Sequence, residues 1–260
     1  MSKKHLSIAG LLIFFSGFLV ACNLQTNHGD SQPVSHAAFD AILKEYVTAE
    51  GWVDYQGLLA DRTRLDDYLN ILSAHHPNKE NWSRNERLAY WINAYNAFTL
   101  QLILDHYPVE SIKDIKRGIP FVNTVWDIKF INIEGKEYDL NNIEHGIIRA
   151  KFSEPRIHFA VNCASYSCPA LQNFAFTANA LDQQLDHAAK EFINDPKRNK
   201  IGQNSLKLSK ILSWYGGDFK QDGRNALDYV REYSDVEISE NPEVDYLDYN
   251  WQLNDKRLYN

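Results

Sequence analysis

An α+β fold is what the sequence predicts, from three observations. Four stretches place apolar residues three and four apart, the spacing of a helix face. Shorter stretches alternate apolar and polar residues between turn-forming glycine, proline and asparagine, as strands do. No segment repeats another, so these elements belong to one domain rather than to an array.

Residues 37 to 49 predict the first helix, with Phe39, Ile42, Leu43, Tyr46 and Val47 on one face. Trp52-Val53-Asp54-Tyr55 reads as a brief extended segment. A second helix spans 62 to 73, with Leu65, Tyr68, Leu69 and Leu72 inward, and His75-His76-Pro77 stops it. The longest helix runs from 84 to 106. Ser83 can cap it, and Glu86 three residues on completes a capping-box pattern. Leu88, Trp91, Ile92, Tyr95, Phe98, Leu102 and Ile103 give it an apolar face broad enough to be central. Asn93 and Asn96 interrupt that face. Buried amides need partners, so the pair is expected to pin a neighbouring loop, with substrate binding as the other reading.

Pro108 ends that helix, and a loop through Gly118 and Pro120 leads to a β-hairpin, Trp126–Ile133 turning over Glu134-Gly135-Lys136 into Glu137-Tyr138. Thr177 is placed to cap a helix over 178–194, with Leu181, Leu185, Ala188, Ala189 and Phe192 inward. A hairpin is expected within 200–208, a short helix before Gly216-Gly217, and a last helix from Gly223-Arg224 through Val230. Residues 244 to 254 are too aromatic for a loose tail and should pack on the body.

The stretch from Asp139 to Leu171 concentrates the chemistry. Its first half predicts a short helix, capped by Asp139, with Leu140, Ile143 and Ile147 inward. Its second half alternates, Ile157, Phe159 and Val161 against His158, Ala160 and Asn162, and predicts a strand that the long helix should pack on. Cys163 follows in a loop of small residues. A thiol, an imidazole and a carboxylate in one local unit are the parts of a nucleophilic site. The functional reading makes Cys163 the nucleophile and His145 its base, with Glu144 orienting a partner and His158 as the second base. The structural reading pairs Glu144 with Arg149 or another cation and buries His145. Arg149 can hold a carboxylate or phosphate, or close a helix-end ion pair. Cys163 and Cys168 are five residues apart, so they either staple a loop over Ala164-Ser165-Tyr166-Ser167 or leave Cys163 free for catalysis.

Lys3 and Lys4 precede an apolar run from Ile8 to Val20, and Leu19-Val20-Ala21-Cys22 closes it. The run is short for a membrane span and fits a secretory signal. Leu-Val-Ala-Cys resembles the lipobox of bacterial lipoproteins, which implies cleavage before Cys22 and lipid on its thiol. Asn23 after it resembles an outer-membrane sorting signal, facing the periplasm if the cell has two membranes. The expected organisation is a signal peptide over 1–21, a lipid-anchored flexible tether over 22–36, and a single α+β domain over 37–260. Cleavage removes two lysines and no acid, leaving 25 basic and 34 acidic residues and a net charge of −9 over 239 residues. That length can bury a full core. The acidic balance argues against nucleic acid as a partner, and leaves the lipid, not a basic patch, to hold the membrane.

Six blocks occur in order: Trp91-Ile92-Asn93-Ala94-Tyr95-Asn96-Ala97, Ile143-Glu144-His145-Gly146-Ile147-Ile148-Arg149, His158-Phe159-Ala160-Val161-Asn162-Cys163, Ser167-Cys168-Pro169-Ala170-Leu171, Trp214-Tyr215-Gly216-Gly217-Asp218-Phe219 and Trp251-Gln252-Leu253-Asn254. Together they look like the domain-of-unknown-function family 547, over about residues 80–254. That family is similar in general plan to papain-like and transglutaminase-like folds. The resemblance implies a long central helix on a mainly antiparallel sheet, and thiol chemistry. In papain-like enzymes the nucleophile starts the central helix, where the helix dipole lowers its pKa. Here that helix carries Asn93 and Asn96 and no cysteine, which makes Cys163 a relocated nucleophile. An envelope-anchored thiol hydrolase or acyl/peptidyl transferase, acting on a peptide, glycan or lipid, is the expectation. A non-catalytic binding or scaffolding module is the alternative. Metal-dependent hydrolysis through His145, His158 and Glu144 lacks a His-x-x-x-His spacing, so no metal or other cofactor is expected.

Overall fold

A computed structural model describes residues 30–116, 124–221 and 223–259. The lipobox, the first part of the tether and the loop through Gly118 and Pro120 lie outside the described residues.

Helices α1 (Ala37–Tyr46), α2 (Tyr55–Ala60), α3 (Arg62–Ser73) and α4 (Arg84–Leu104) build the first half. The start of α4 follows from its capping box, with Ser83 and Glu86 each accepting the other's backbone N–H. Trp91 and Phe98 are buried, as the apolar face requires. The main neighbours of α4 are α3 and a π-helix, Asn142–Arg149, and Trp91 also meets Tyr138 at 6.0 Å between ring centres.

The strand expected over Ile157–Val161 is a correction. Pro155–Phe159 is a 3₁₀ helix with proline at its start and the Glu154 side chain capping Arg156 N. All five residues from Ile157 to Val161 are buried, His158 included. An alternating pattern marks a strand when only one face is buried, and here neither face is free.

The sheets are small. β1 (Ile131–Ile133) and β2 (Lys136–Tyr138) form the hairpin, over Glu134 and Gly135 at φ of 48° and 78°. Two left-handed residues in a row suit the twist of a two-residue hairpin turn. The segment before β1 begins as a 3₁₀ turn, Val125–Asp127, not as strand. α5 (Leu181–Asn194) is capped at Ala180 rather than at Thr177, whose N–H instead donates to Gln184 Oε1 at 2.8 Å. β3 (Lys200–Ile201) and β4 (Ser205–Leu208) pair antiparallel, and β5 (Glu243–Tyr246) joins β4 in parallel. α6 (Lys210–Trp214) and α7 (Ala226–Tyr233) start at side-chain caps, Ser209 and Asn225. The fold is α+β, with helix predominating.

The last part of the expected tether meets the body. Ser31 C=O accepts from Asn78 Nδ2, Asn81 Nδ2 and Trp82 Nε1 at 3.0, 3.2 and 2.9 Å, and His36 Nδ1 meets the buried Tyr68 hydroxyl at 2.7 Å. Two residues of the expected tether, Ser31 and His36, are therefore bonded to the body by hydrogen bonds that its composition does not advertise.

Two apolar clusters fill the interior. The larger joins α1 to α4, the hairpin, the π-helix and the start of α5. The smaller gathers Phe159, Phe192, Leu206, Leu208, Leu212, Phe219 and Val230 around the late elements. Among the described residues no helix is long and apolar enough to cross a membrane.

Candidate functional site

A cavity of about 320 Å³ opens between the two clusters. Tyr95 from α4 and Trp126 reach it from the larger one; Ile211, Tyr215 and Tyr249 from the smaller. Cys163, Glu144 and His145 all line it.

The π-helix presents the acid and the imidazole. Asp139 caps its start by accepting Asn142 N–H at 2.6 Å. A π-helix closes its hydrogen bonds one residue further on than an α-helix, so successive side chains turn by a smaller angle. The neighbours Glu144 and His145 thus both reach the cavity, one buried and the other exposed. Glu144 Oε1 accepts the Tyr215 hydroxyl at 2.7 Å. Its approach to His145 Nδ1, 3.8 Å, is too long for a hydrogen bond. Arg149 Nη1 lies 3.0 Å from that same nitrogen. A guanidinium only donates, so Nδ1 accepts and Nε2 carries the proton.

Arg149 is not the partner of Glu144, nor is it open to a substrate anion. Its Nε and Nη2 hold Asp218 at 2.5 and 2.8 Å. The second imidazole closes that network: His158 Nε2 bonds Asp218 Oδ2 at 2.7 Å, and its ring stacks on Tyr215 at 4.0 Å. Arg149, with His158 next, holds the Asp218 carboxyl well below the usual range. Burial lowers the pKa of His158, and Asp218 only partly opposes it. His158 Nδ1 is buried with no hydrogen-bond partner among the described residues. His158 sits behind Tyr215 rather than among the residues lining the cavity.

Cys163 sits on a tight loop. Asn96 on α4 seats it: Nδ2 donates to Ala160 O at 3.0 Å and Oδ1 accepts Asn162 N at 2.9 Å. Asn162 in turn accepts Ala164 N–H and donates to Pro169 O, at 2.8 and 2.7 Å. Ala164, next to the thiol, has φ of +58°, a left-handed conformation unusual for a residue with a Cβ. Residues 250 to 254 hold the outer side, with Tyr166 N bonded to Gln252 O and Ser167 N to Asn250 O at 2.7 and 3.2 Å. Asn93 makes the same kind of clamp elsewhere, on both backbone groups of Phe176. Both asparagines are buried, and neither lines the cavity.

Cys163 is partly exposed, and its sulfur lies 2.8 Å from that of Cys168 and 3.3 Å from both Ser165 Oγ and Tyr249 Oη. Both cysteines are free. Hydrogen bonding with Cys168, and to a lesser extent with Ser165 and Tyr249, lowers the Cys163 pKa against the effect of burial. Burial pushes the Cys168 thiol well up. Neither imidazole hydrogen-bonds to Cys163; its side-chain partners among the described residues are sulfur and hydroxyl groups.

Above the thiol is an aromatic shelf. Trp251 lies 4.4 Å from Tyr249, 5.6 Å from Trp126 and 6.1 Å from Trp214, ring centre to ring centre. Trp214 is half exposed, and Lys113 Nζ sits 4.8 Å over Trp251. Sequence reasoning gave no role to Tyr215, Asp218, Tyr249, Ser165 or the three tryptophans. The signal was present, since the blocks Trp214–Phe219 and Trp251–Asn254 stand out for their aromatic content. Among the described residues no group of three His, Cys, Asp or Glu is arranged to hold a metal.

No curated protein and no solved structure matches this chain. Residues 79–193 match the model of a family described as "Protein of unknown function, DUF547". The matched segment contains Asn93, Asn96, Glu144, His145, Cys163 and Cys168, and stops before Tyr215, Asp218 and the aromatic shelf. From just before α4 to the end of α5, the chain is similar to a family whose description states no activity.

Proposed function

We propose that this protein is a thiol hydrolase or acyl/peptidyl transferase, held at the bacterial cell envelope by lipid on Cys22. The observation that carries the reading is a partly exposed cysteine whose thiol meets three groups able to donate a hydrogen bond, on the wall of a cavity that also holds Glu144 and His145. Donors around a sulfur favour the thiolate, the form that attacks. In the proposed first step the Cys163 thiolate adds to a carbonyl carbon, the leaving group departs with a proton, and a thioester remains. In the second, water or an acceptor amine or hydroxyl takes the acyl group and restores the thiol.

The two polar groups take different parts. His145 Nδ1 is occupied by Arg149, so its Nε2–H is a hydrogen-bond donor, suited to the carbonyl oxygen as negative charge develops on it, while the proton the leaving group takes is the one the Cys163 thiol gave up. Glu144 is an acceptor with one oxygen engaged by Tyr215, suited to activating the incoming nucleophile. His158 acts at one remove, holding Asp218 and, by stacking, Tyr215. The aromatic shelf offers a flat apolar face to the part of the substrate beside the carbonyl. The proposed plan is papain-like, with α4 as the central helix, but the chemistry at Cys163 does not depend on it.

The second reading, a binding module, is favoured by the lack of any imidazole hydrogen bond to Cys163 among the described residues. An activated ester such as p-nitrophenyl acetate separates the two. The enzyme reading expects a burst of nitrophenol and an acetyl group on Cys163 by peptide mass spectrometry, both lost in Cys163→Ala. A chain that acquires no acyl group at Cys163 is a binding module.

A further inference from the structure

We propose that Cys163 and Cys168 are a thiol–disulfide exchange couple, with Cys163 the attacking sulfur, Cys168 the resolving sulfur and a small-molecule disulfide the co-substrate. The two sulfurs are in direct contact at 2.8 Å, and a disulfide needs about 2.05 Å. Their surroundings are unequal in the way exchange requires. Cys163 lines the cavity and can be reached from solvent, whereas Cys168 is buried. An incoming disulfide therefore meets Cys163 first, and Cys168 can act only through it. The Cys163 N–H also donates to the Cys168 sulfur at 2.9 Å, which supports the charge Cys168 must carry as it attacks.

The loop does not need a sulfur–sulfur bond to keep its shape. Asn96, Asn162, Gln252 and Asn250 already hold it from both sides, and Ser165 bridges to Leu253. The dithiol form is thus fully built. That distinguishes a couple that opens and closes from a staple whose reduction would release the loop.

The exchange balances in two steps. The Cys163 thiolate attacks one sulfur of R–S–S–R; the new Cys163–S–R bond forms, the old S–S bond breaks, and one R–S⁻ leaves to take up a proton. Cys168 then loses its proton and attacks the Cys163 sulfur. The Cys163–Cys168 bond forms, the mixed disulfide breaks, and the second R–S⁻ leaves and is protonated. Two protein thiols are oxidised by two electrons, and one disulfide is reduced to two thiols. While the bond is closed Cys163 cannot attack a carbonyl. Exchange needs both sulfurs and acyl transfer needs one, so either reading can fail without the other.

Reduced protein carrying Cys22 is treated with glutathione disulfide, quenched in acid, alkylated and mapped by peptide mass spectrometry. The wild type is expected to lose two hydrogens across the Cys163 and Cys168 peptides and to keep no glutathione. Cys168→Ser is expected to stop at one glutathionyl group on Cys163, and Cys163→Ser to leave Cys168 unmodified. Circular dichroism and a cooperative thermal melt like that of the wild type show that the Cys168→Ser variant is folded. A wild type that holds a stable glutathione adduct, a Cys168 that reacts without Cys163, or a folded Cys168→Ser that forms no adduct overturns the proposal.

Discussion

The two apolar clusters differ in how they are made. The larger is helix on helix, from long regular stripes on α1, α3 and α4 that could bury themselves nowhere else. The smaller is assembled from single residues contributed by a 3₁₀ turn, α5, β4, α6 and α7, with Phe159, Phe192 and Phe219 stacked or tilted against one another at 5.1 and 5.7 Å. The cavity lies where they meet. The larger cluster supplies the clamp at Asn96 and, through Tyr95 and Trp126, part of the cavity wall; the smaller supplies Ile211, Tyr215 and Tyr249. A site placed on such a seam can change its walls without disturbing the frame that seats its nucleophile.

The largest expected effect tests the frame. Phe98→Ala should lower the unfolding free energy by about 3–5 kcal/mol, as for other large buried aromatics, with one cooperative transition in urea. A smaller loss, or two transitions, would mean that the clusters fold as separate units.

Next come the two asparagine clamps. Asn93→Ala and Asn96→Ala should each destabilise by about 1–3 kcal/mol for the backbone groups left unpaired. Only Asn96→Ala should also change the pH profile of Cys163 alkylation, because only it seats the thiol loop. Equal changes in both would break the distinction between frame and seat.

Acid should act on both regions through buried imidazoles. Burial lowers the His36 pKa to about 4, so between pH 6.5 and that value the unfolded chain binds a proton the folded chain does not. Stability then falls as pH drops below about 6.5, by about 1–2 kcal/mol at pH 5, and levels off below about 4. His158, also lowered, adds in the same direction. His36→Gln should flatten part of the slope in thermal melts; an unchanged slope would place the acid sensitivity elsewhere.

The smallest effect on stability belongs to the shelf. Trp214 is half exposed, so Trp214→Ala should stay within about 0.5 kcal/mol of wild type. Turnover of activated esters with a bulky aromatic acyl group should fall while that of the acetyl ester is kept. Equal loss on both would assign Trp214 to the frame.

Much of the frame was legible. The stripe from Leu65 to Leu72, the Ser83–Glu86 box and the apolar run around Trp91 each obey a local rule, and all three fold as that rule dictates. Asn96 was legible as a clamp because a polar residue inside an apolar stripe must find a partner. The 157–161 segment was misread because its alternation in polarity does not match its burial. The pair Arg149–Asp218 joins residues 69 apart in sequence, and the contact of Tyr215 with Glu144 spans 71. No periodicity reports such contacts. They are decided by how the late elements close over the first half.

The thiol loop at residues 162–168 is stitched by residues 250–254, more than eighty positions later. While the chain is being synthesised, Cys163 and its seat at Asn96 therefore exist well before the groups that hold the outer side of the loop. Tyr249, which bonds its sulfur, is in the same late segment. A nascent or truncated chain lacks these groups, and the site is completed only when the last stretch docks. Tyr249 and the segment that holds the outer side of the loop are in this way the last parts of the cavity to be synthesised.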